Sequence, residues 1–197
     1  MNKKNGMIII VSAPSGAGKT SICDAVIRDD KNIIYSVSTT TRKPRKGEKD
    51  GREYLFVDEK KFKQDIKNGK FIEWARVHGN YYGTAKAVLQ NVLSKGKDVL
   101  LDIDVQGALS IKKKYKDALM LFIMTPTLKE LKKRLIKRNK DSKETINIRI
   151  ENAKKEIKYV NSYDYLILND KLKKSINDVK AVIKAERLSI KRNKIIF

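Results

Sequence analysis

The sequence predicts an α/β protein built on a parallel sheet, and three observations carry that prediction. The apolar run "MIIIV", Met7 to Val11, leads through the small-residue loop "SAPSGAGKT" into an amphipathic helix, and so apolar a strand suits a parallel sheet buried on both faces. Later runs, "DVLLDID", "ALMLFIM" and "DYLILND", are separated by helical stretches, the alternation that gives a parallel sheet covered by helices. From Ile33 to Gly83, by contrast, the strand runs follow one another with little helix between them, which predicts a strand-rich lobe inserted into the core.

The first loop reads as a phosphate cradle. Glycines and alanines around one Lys and one Thr let main-chain N–H groups converge on an oxyanion. A phosphate-binding P-loop requires Gly, four residues, Gly-Lys, then Ser or Thr; here the run is Ala13-Pro14-Ser15-Gly16-Ala17-Gly18-Lys19-Thr20, followed by Ser21. Ala13 replaces the first Gly and keeps the position small. In the predicted helix that follows, Ile22, Val26 and Ile27 share one face, and its N-terminus points free N–H groups and the positive end of the helix dipole at the anion.

The next elements are predicted in order. Strand runs "NIIYSVS" and "EYLFV" precede a short helix around Asp58 to Lys67, then comes "KFIEWARV". A helix is predicted from Thr84 to Gly96 on the spacing of Ala85, Val88, Leu89, Val92 and Leu93. From Thr127 to Val160 the chain reads as almost all helix, with Leu128, Leu131 and Leu135 on one face and Ile146, Ile150, Ala153 and Ile157 on another, joined by the polar "RNKDSKET". A last helix from Lys171 carries Ile176, Val179, Val182 and Ile183.

Composition bounds the function. With 197 residues, 41% hydrophobic content and only 3 Pro, the chain can bury the core of one domain. No apolar run approaches the ~20 residues of a membrane helix, and "MNKKNG" has no signal-peptide core after its lysines, so the cytoplasm is expected and a membrane is not. Cys23, the one cysteine, has no internal disulfide partner and is expected as a small buried apolar residue. A single His, His78, excludes a His-rich metal site and argues against a Ser-His triad. The net charge of +22 invites nucleic acid as a partner, but the lysines are scattered without the interleaved aromatics that single-strand binders use, and they read as solvated faces.

The arginines are more pointed. Arg42 and Arg45 flank Pro44 in "STTTRKPR", a stiff turn on which two guanidiniums can share one phosphate, although a solvated basic loop fits the same residues. Tyr54, Tyr81, Tyr82 and Thr84 offer hydroxyls to a phosphate or a base edge, or simply pack in strands. Strand alternation sets Glu73 on the opposite side from Ile72 and Trp74, and taken alone it reads as a solvent-facing carboxylate. "LLDIDVQG" brings Asp102 and Asp104 to the end of an apolar strand at a period of two. A carboxylate there, opposite the Thr20 hydroxyl and beside Lys19, suits Mg²⁺, so Thr20 and Asp102 are the candidate metal ligands. Arg134 and Arg138, four apart on a helix, project from one face, and Arg149 opens the next helix; the three read as clamps for a transferring phosphoryl group or as a basic solvent face.

Together these segments resemble the guanylate kinase family over essentially the whole chain: "SAPSGAGKT", "TTTRKPRKGE-DG-EY", "FIEWA-V-GNYYGT", "LDIDVQG", "RL" through "ETI--R", and "DYLILND". The order and spacing make the likeness specific. The resemblance implies one domain, 1–197, with a P-loop core of about 1–32, 84–126 and 161–197, a GMP-binding lobe of about 33–83 and a helical lid of about 127–160. It implies Mg²⁺-requiring phosphorylation of GMP, and of dGMP, to the diphosphate with ATP as co-substrate. By the same resemblance, GMP-phosphate contacts fall on Arg42, Arg45, Tyr54 and Tyr82, and guanine contacts on Ser38, Glu73, Thr84 and Asp104. ATP falls on Ala13 to Ser21, with Asn169 at the adenine, while the catalytic cations are Lys19, Arg42, Arg134, Arg138 and Arg149.

The chemistry at Glu73 agrees with the resemblance. Guanine presents N1–H and an exocyclic amine as adjacent donors that one carboxylate accepts as a pair, whereas adenine N1 is an acceptor. A site built on such pairing rejects the wrong base by roughly 10⁴ or more. One departure stands out: where related lids tend to read Arg-Gly-Arg-Gly, this chain has Lys137-Arg138-Asn139-Lys140, which keeps the clamp arginine and is expected to alter lid mobility. Three rivals are weighed against this reading: a P-loop kinase for another monophosphate, a non-catalytic guanylate-kinase-like module that binds peptides, and a nucleic-acid-binding protein. Glu73 and Ser38 oppose the first, the intact P-loop opposes the second, and only charge supports the third. GMP and ATP are thus the expected partners, with nucleic acid disfavoured and a homo-oligomer left open.

Overall fold

The computed structural model describes residues 6–45, 47–77, 79–137 and 142–193. In chain order the elements begin with strand β1 (Ile8–Ser12), helix α1 (Lys19–Asp29), β2 (Ile33–Tyr35), β3 (Ser38–Thr40), β4 (Tyr54–Phe56) and α2 (Glu59–Lys67). Next come β5 (Phe71–Val77), β6 (Asn80–Ala85), α3 (Lys86–Ser94), β7 (Asp98–Asp102) and α4 (Val105–Lys114). The last are β8 (Leu119–Met124), α5 (Leu128–Lys137), α6 (Lys143–Ile157), a 3₁₀ turn (Val160–Ser162), β9 (Tyr165–Leu168) and α7 (Leu172–Leu188). Among these helices none is long and apolar enough to cross a membrane. The chain divides into two compact units.

The first unit takes the chain up to Ile8, Asn32–Leu101 and Gln106–Ala118. Its strands β2 and β7 pair in parallel, from Ile33 opposite Asp98 to Tyr35 opposite Leu100, and the buried Asp98 carboxylate accepts the Met7 amide at 2.8 Å. The other strands form a four-stranded sheet in the order β4-β3-β6-β5. α2 docks on it through Phe62, which is fully buried and stacks on Phe71 and Tyr81 at 4.5 and 5.4 Å between ring centroids. The start of α2 is fixed by Asp58, whose carboxylate accepts from the Lys61 amide at 2.7 Å, satisfying a donor the helix itself leaves open.

The second unit takes Ile9–Lys31, Asp102–Val105 and the chain from Leu119 onward. β1, β8 and β9 lie side by side in parallel, with Ile9 opposite Leu119 and Leu121 opposite Tyr165. β1 and β8 are buried along their whole length, as apolar runs without alternation require. α7 is tied to the end of α1 by ion pairs from Lys180 to Asp29 and from Arg187 to Asp30.

The mixed α/β architecture with a parallel sheet and a strand-rich insertion is as the sequence predicts. Three details differ. The run "NIIYSVS" is split: β2 pairs with β7, while β3 joins the four-stranded sheet. The helix expected from Thr84 begins at Lys86, because Thr84 and Ala85 are held in β6 by their pairing with Glu73 and Phe71. Finally, the register of β5 against β6 shifts between Phe71 and Glu73. The irregularity breaks strand alternation, so that Ile72 and Glu73 are both buried and Trp74 is exposed; the expectation of a solvent-facing Glu73 is corrected accordingly.

Candidate active site

The phosphate loop runs from the end of β1 into α1, as its sequence requires. Gly16 and Gly18 both take φ of 94°, a backbone that L side chains rarely adopt, and Gly18 is the N-cap of α1. Space demands glycine as well: a Cβ at Gly16 would come within 2.8 Å of Leu135 Cδ2 on α5, and one at Gly18 would run into the Asn169 amide. Ala17 closes the turn by donating its N–H to the Pro14 carbonyl at 3.0 Å. Lys19 opens α1 and forms an ion pair with Asp102 at the end of β7, the neighbour expected for it. Thr20 and Ser21 are exposed on the first turn of α1.

One arginine of the second unit reaches this loop, and another bonds beside the residue that supports it. Arg149 on α6 donates to the Ser15 hydroxyl. Arg134 on α5 is held by Glu130 at 3.0 Å and donates to the Asp170 carbonyl at 3.3 Å, beside Asn169. Arg138 and its neighbours through Asp141 lie outside the described residues. Asn169 sits under the loop, 3% exposed, donating from Nδ2 to the Ala17 carbonyl at 2.7 Å and accepting from the Ser175 hydroxyl at 3.1 Å. Among the described residues these bonds leave its second amide hydrogen and one lone pair for a ligand.

The first unit collects a different set on its four-stranded sheet. Glu73 on β5 stands opposite Thr84 on β6, and the Thr84 hydroxyl donates to Glu73 Oε1 at 2.6 Å in a buried hydrogen bond. Ser38, buried on β3, pairs with Tyr54 on β4. Tyr54 and Tyr82 meet edge to face, 5.8 Å between centroids, and the Arg42 guanidinium lies 5.3 Å from the Tyr54 ring. Asp104 belongs to the second unit, just after β7.

Glu48, to which sequence reasoning gives no role, organises the arginine turn. Its carboxylate takes Arg42 in a fork, Nη1 to Oε2 and Nη2 to Oε1 at 2.9 Å each, and accepts the Arg45 backbone N–H at 2.8 Å. Bonding to Arg42 raises the guanidinium's pKa and holds the Glu48 carboxyl below the usual carboxylate range. The signal is present in "RKGE", since an acid three residues after Arg45 can close a turn on its own backbone. Arg45 itself is exposed. Cys23, on α1, is buried as expected, and burial pushes its thiol pKa far up.

Against known proteins, the sequence model for guanylate kinase matches residues 5–186. The chain belongs to the guanylate kinase family. Among relatives, guanylate kinase of Caldanaerobacter subterraneus subsp. tengcongensis is 43% identical over 195 residues, covering 99% of this chain and 95% of the relative. That of Carboxydothermus hydrogenoformans is 46% identical over 187 residues, covering 95% and 92%. The crystal structure of guanylate kinase from Anaplasma phagocytophilum superposes with a TM-score of 0.80 at 33% identity, over 96% of this chain and 90% of that one. Family membership makes the chain a nucleotide-binding phosphotransferase, so ATP is its co-substrate.

Chemically, the donor set around Lys19 fits the Mg²⁺ expected from the sequence. Thr20 supplies a hydroxyl and Asp102 a carboxylate, both hard oxygen donors, and no cluster of three or more His, Cys, Asp or Glu able to cage a metal occurs among the described residues. Such a sparse set suits an ion that keeps waters and phosphate oxygens as its remaining ligands.

Proposed function

We infer that the chain transfers the γ-phosphoryl group of ATP to GMP, giving ADP and GDP, and that it accepts dGMP as well. The observation that carries the choice of nucleotide is the buried Glu73 carboxylate, fixed through one oxygen by Thr84 at 2.6 Å. A desolvated carboxylate held in one orientation is an acceptor for the paired donors of guanine, and it leaves adenine N1 unpaired. Ser38 and Asp104 complete the proposed base contacts.

Phosphoryl transfer asks little covalent chemistry of a protein, so positioning and charge neutralisation carry the rate. Lys19 leaves Asp102 for the β and γ phosphates while the N–H groups of the loop from Ala13 to Ser21 wrap them. Arg42 turns from Glu48 to the GMP phosphate, assisted by Arg45, Tyr54 and Tyr82, and aims it in line. Arg134, Arg138 and Arg149 close over the transfer and exclude water, which would otherwise hydrolyse ATP. Asn169 supports the loop at the adenine end. Thr20 and Asp102 would hold Mg²⁺, which supplies charge neutralisation between the phosphates when bound. No general base is needed, because the attacking phosphate oxygen is already anionic. In this reading the core comprises about 1–32, 84–126 and 161–197, the GMP lobe about 33–83 and the lid about 127–160. The cytoplasm is the proposed compartment.

The test is ADP release from purified protein with ATP and Mg²⁺, offering GMP, dGMP, AMP, UMP and CMP in parallel, together with Glu73→Gln. Turnover with the guanine nucleotides alone, lost or relaxed in Glu73→Gln, is expected. Inert monophosphates with ATP still bound would overturn the reading and favour a peptide-binding module.

A further inference from the structure

The irregularity that buries Glu73 has a prop outside the sheet. In the ladder of β5 against β6, Phe71 faces Ala85 and Glu73 faces Thr84, so β5 carries one residue more than β6 across this step and Ile72 is passed over. An extra residue of this kind disturbs the ladder locally and re-aims the side chain beside it. The Ile72 carbonyl accepts from the Lys114 ammonium. Lys114 is the last residue of α4, a helix anchored by the fully buried Ala108 and Ile111, and both partners of the bond belong to the first unit. Nearby, Lys112 donates to the Ala118 carbonyl at 2.7 Å, and the Tyr115 N–H closes the helix on the Ile111 carbonyl at 2.8 Å. The charge that reaches β5 therefore stands at a fixed helix end.

We propose that Lys114 is a positioning residue for Glu73: by holding the Ile72 carbonyl it keeps the extra residue of β5 at this step, and so sets the carboxylate that reads the guanine base. The proposal rests on the reading that Glu73 accepts the paired donors of guanine. A carbonyl at a disturbed step of a ladder needs a donor, and an ammonium is a stronger one than a neutral N–H. Where the extra residue sits decides the face each neighbour takes, because a shift of one residue moves a side chain to the other side of the sheet. At this step it gives a buried Ile72, a buried Glu73 bonded to Thr84 at 2.6 Å and an exposed Trp74. Without the ammonium that placement loses its support, and regular alternation would set Ile72 and Glu73 on opposite faces. Lys114 acts through one backbone oxygen on the next residue, with no contact to the nucleotide required.

The experiment is titration calorimetry of GMP and of inosine monophosphate, without ATP or metal, into wild type, Lys114→Met and Lys114→Arg. Inosine monophosphate keeps the N1–H of guanine and lacks its exocyclic amine, so wild type is expected to bind GMP more tightly. Methionine keeps an unbranched stem and removes the charge. In Lys114→Met the Kd for GMP is expected to rise about tenfold, as for one lost hydrogen bond from a charged donor, with the preference for GMP reduced several-fold and KM for ATP unchanged. A cavity of about 470 Å³ lies against the bond, lined by Gly69, Phe71, Ile72, Lys86, Lys114 and Tyr115. It has room for the larger guanidinium, so Lys114→Arg is expected to restore both affinity and preference. An unchanged preference in Lys114→Met, whether the two affinities stay at wild type or fall alike, would overturn the proposal and leave the reading of Glu73 standing. Wild type that binds both nucleotides equally, or neither, would overturn that reading and the proposal with it. Should Lys114→Met not fold, Lys114→Gln, one atom shorter and uncharged, takes its place with the same outcomes.

Discussion

The Asn169 amide donates to the Ala17 carbonyl at 2.7 Å, and the same amide fills the space in which a side chain on Gly18 would begin. Strand β9 thus ends in a strut that sets the height of the phosphate loop. Gly18→Ala is expected to raise the KM for ATP at least about tenfold, because both φ and space forbid the methyl. Asn169→Ala is expected to lower stability by about 1–3 kcal/mol by leaving a buried carbonyl without its donor. Urea denaturation and ATP titration measure the two effects separately.

Thr84→Val keeps the shape of the Glu73 pocket and removes its donor. Unfolding free energy is expected to fall by about 1–3 kcal/mol, with KM for GMP rising and KM for ATP unchanged. Equal rises in both KM values would show that Thr84 supports the fold in general and not the base contact.

The Arg42–Glu48 fork gives a pH signature. Because the folded carboxyl of Glu48 is depressed below its unfolded value, its contribution is present at neutral pH and lost as pH falls below about 4.5 through the folded pKa. Wild type should therefore exceed Glu48→Gln in denaturation midpoint at pH 7, and the gap should shrink at pH 3.5.

Arg149→Lys tests whether charge alone suffices on α6. Lysine cannot reproduce the planar fork of a guanidinium, so kcat is expected to fall by about 10²-fold with KM for GMP little changed. Full activity in Arg149→Lys would remove Arg149 from the transfer step.

Cys23 is buried on α1 with its thiol pKa pushed far up, and thiolate is the reactive form. Native protein is expected to resist a thiol reagent such as DTNB, and to react once, fully, on unfolding in guanidinium. Rapid labelling of native protein would contradict the packing of α1 described above.

Much of this is legible in the residues because the signals are local. The run "MIIIV", the small residues of the loop and the helix after it need no knowledge of distant chain, and they settle β1, the loop and α1. The arginine pair at 42 and 45 is legible for the same reason. The burial of Glu73 is not, since it follows from a register irregularity between β5 and β6, a property of two strands and invisible in one. Thr84 and Ala85 look helical by spacing, yet their pairing with β5 outweighs that local preference. The structural role of Asn169 escapes because it acts through a backbone group, the Ala17 C=O, which no side-chain pattern records; that of Glu48 is signalled only as a turn in "RKGE", and its fork to Arg42 needs the folded loop.

Trp74 is the one tryptophan of the chain, and the irregularity that buries Glu73 leaves it outward, 48% exposed and 5.9 Å from the Tyr81 ring. An intrinsic fluorophore is therefore built in one residue away from the carboxylate proposed to read the base. Arrival of a nucleotide on this sheet is open to direct optical timing in unlabelled protein, with excitation at the red edge of the indole band leaving the tyrosines dark.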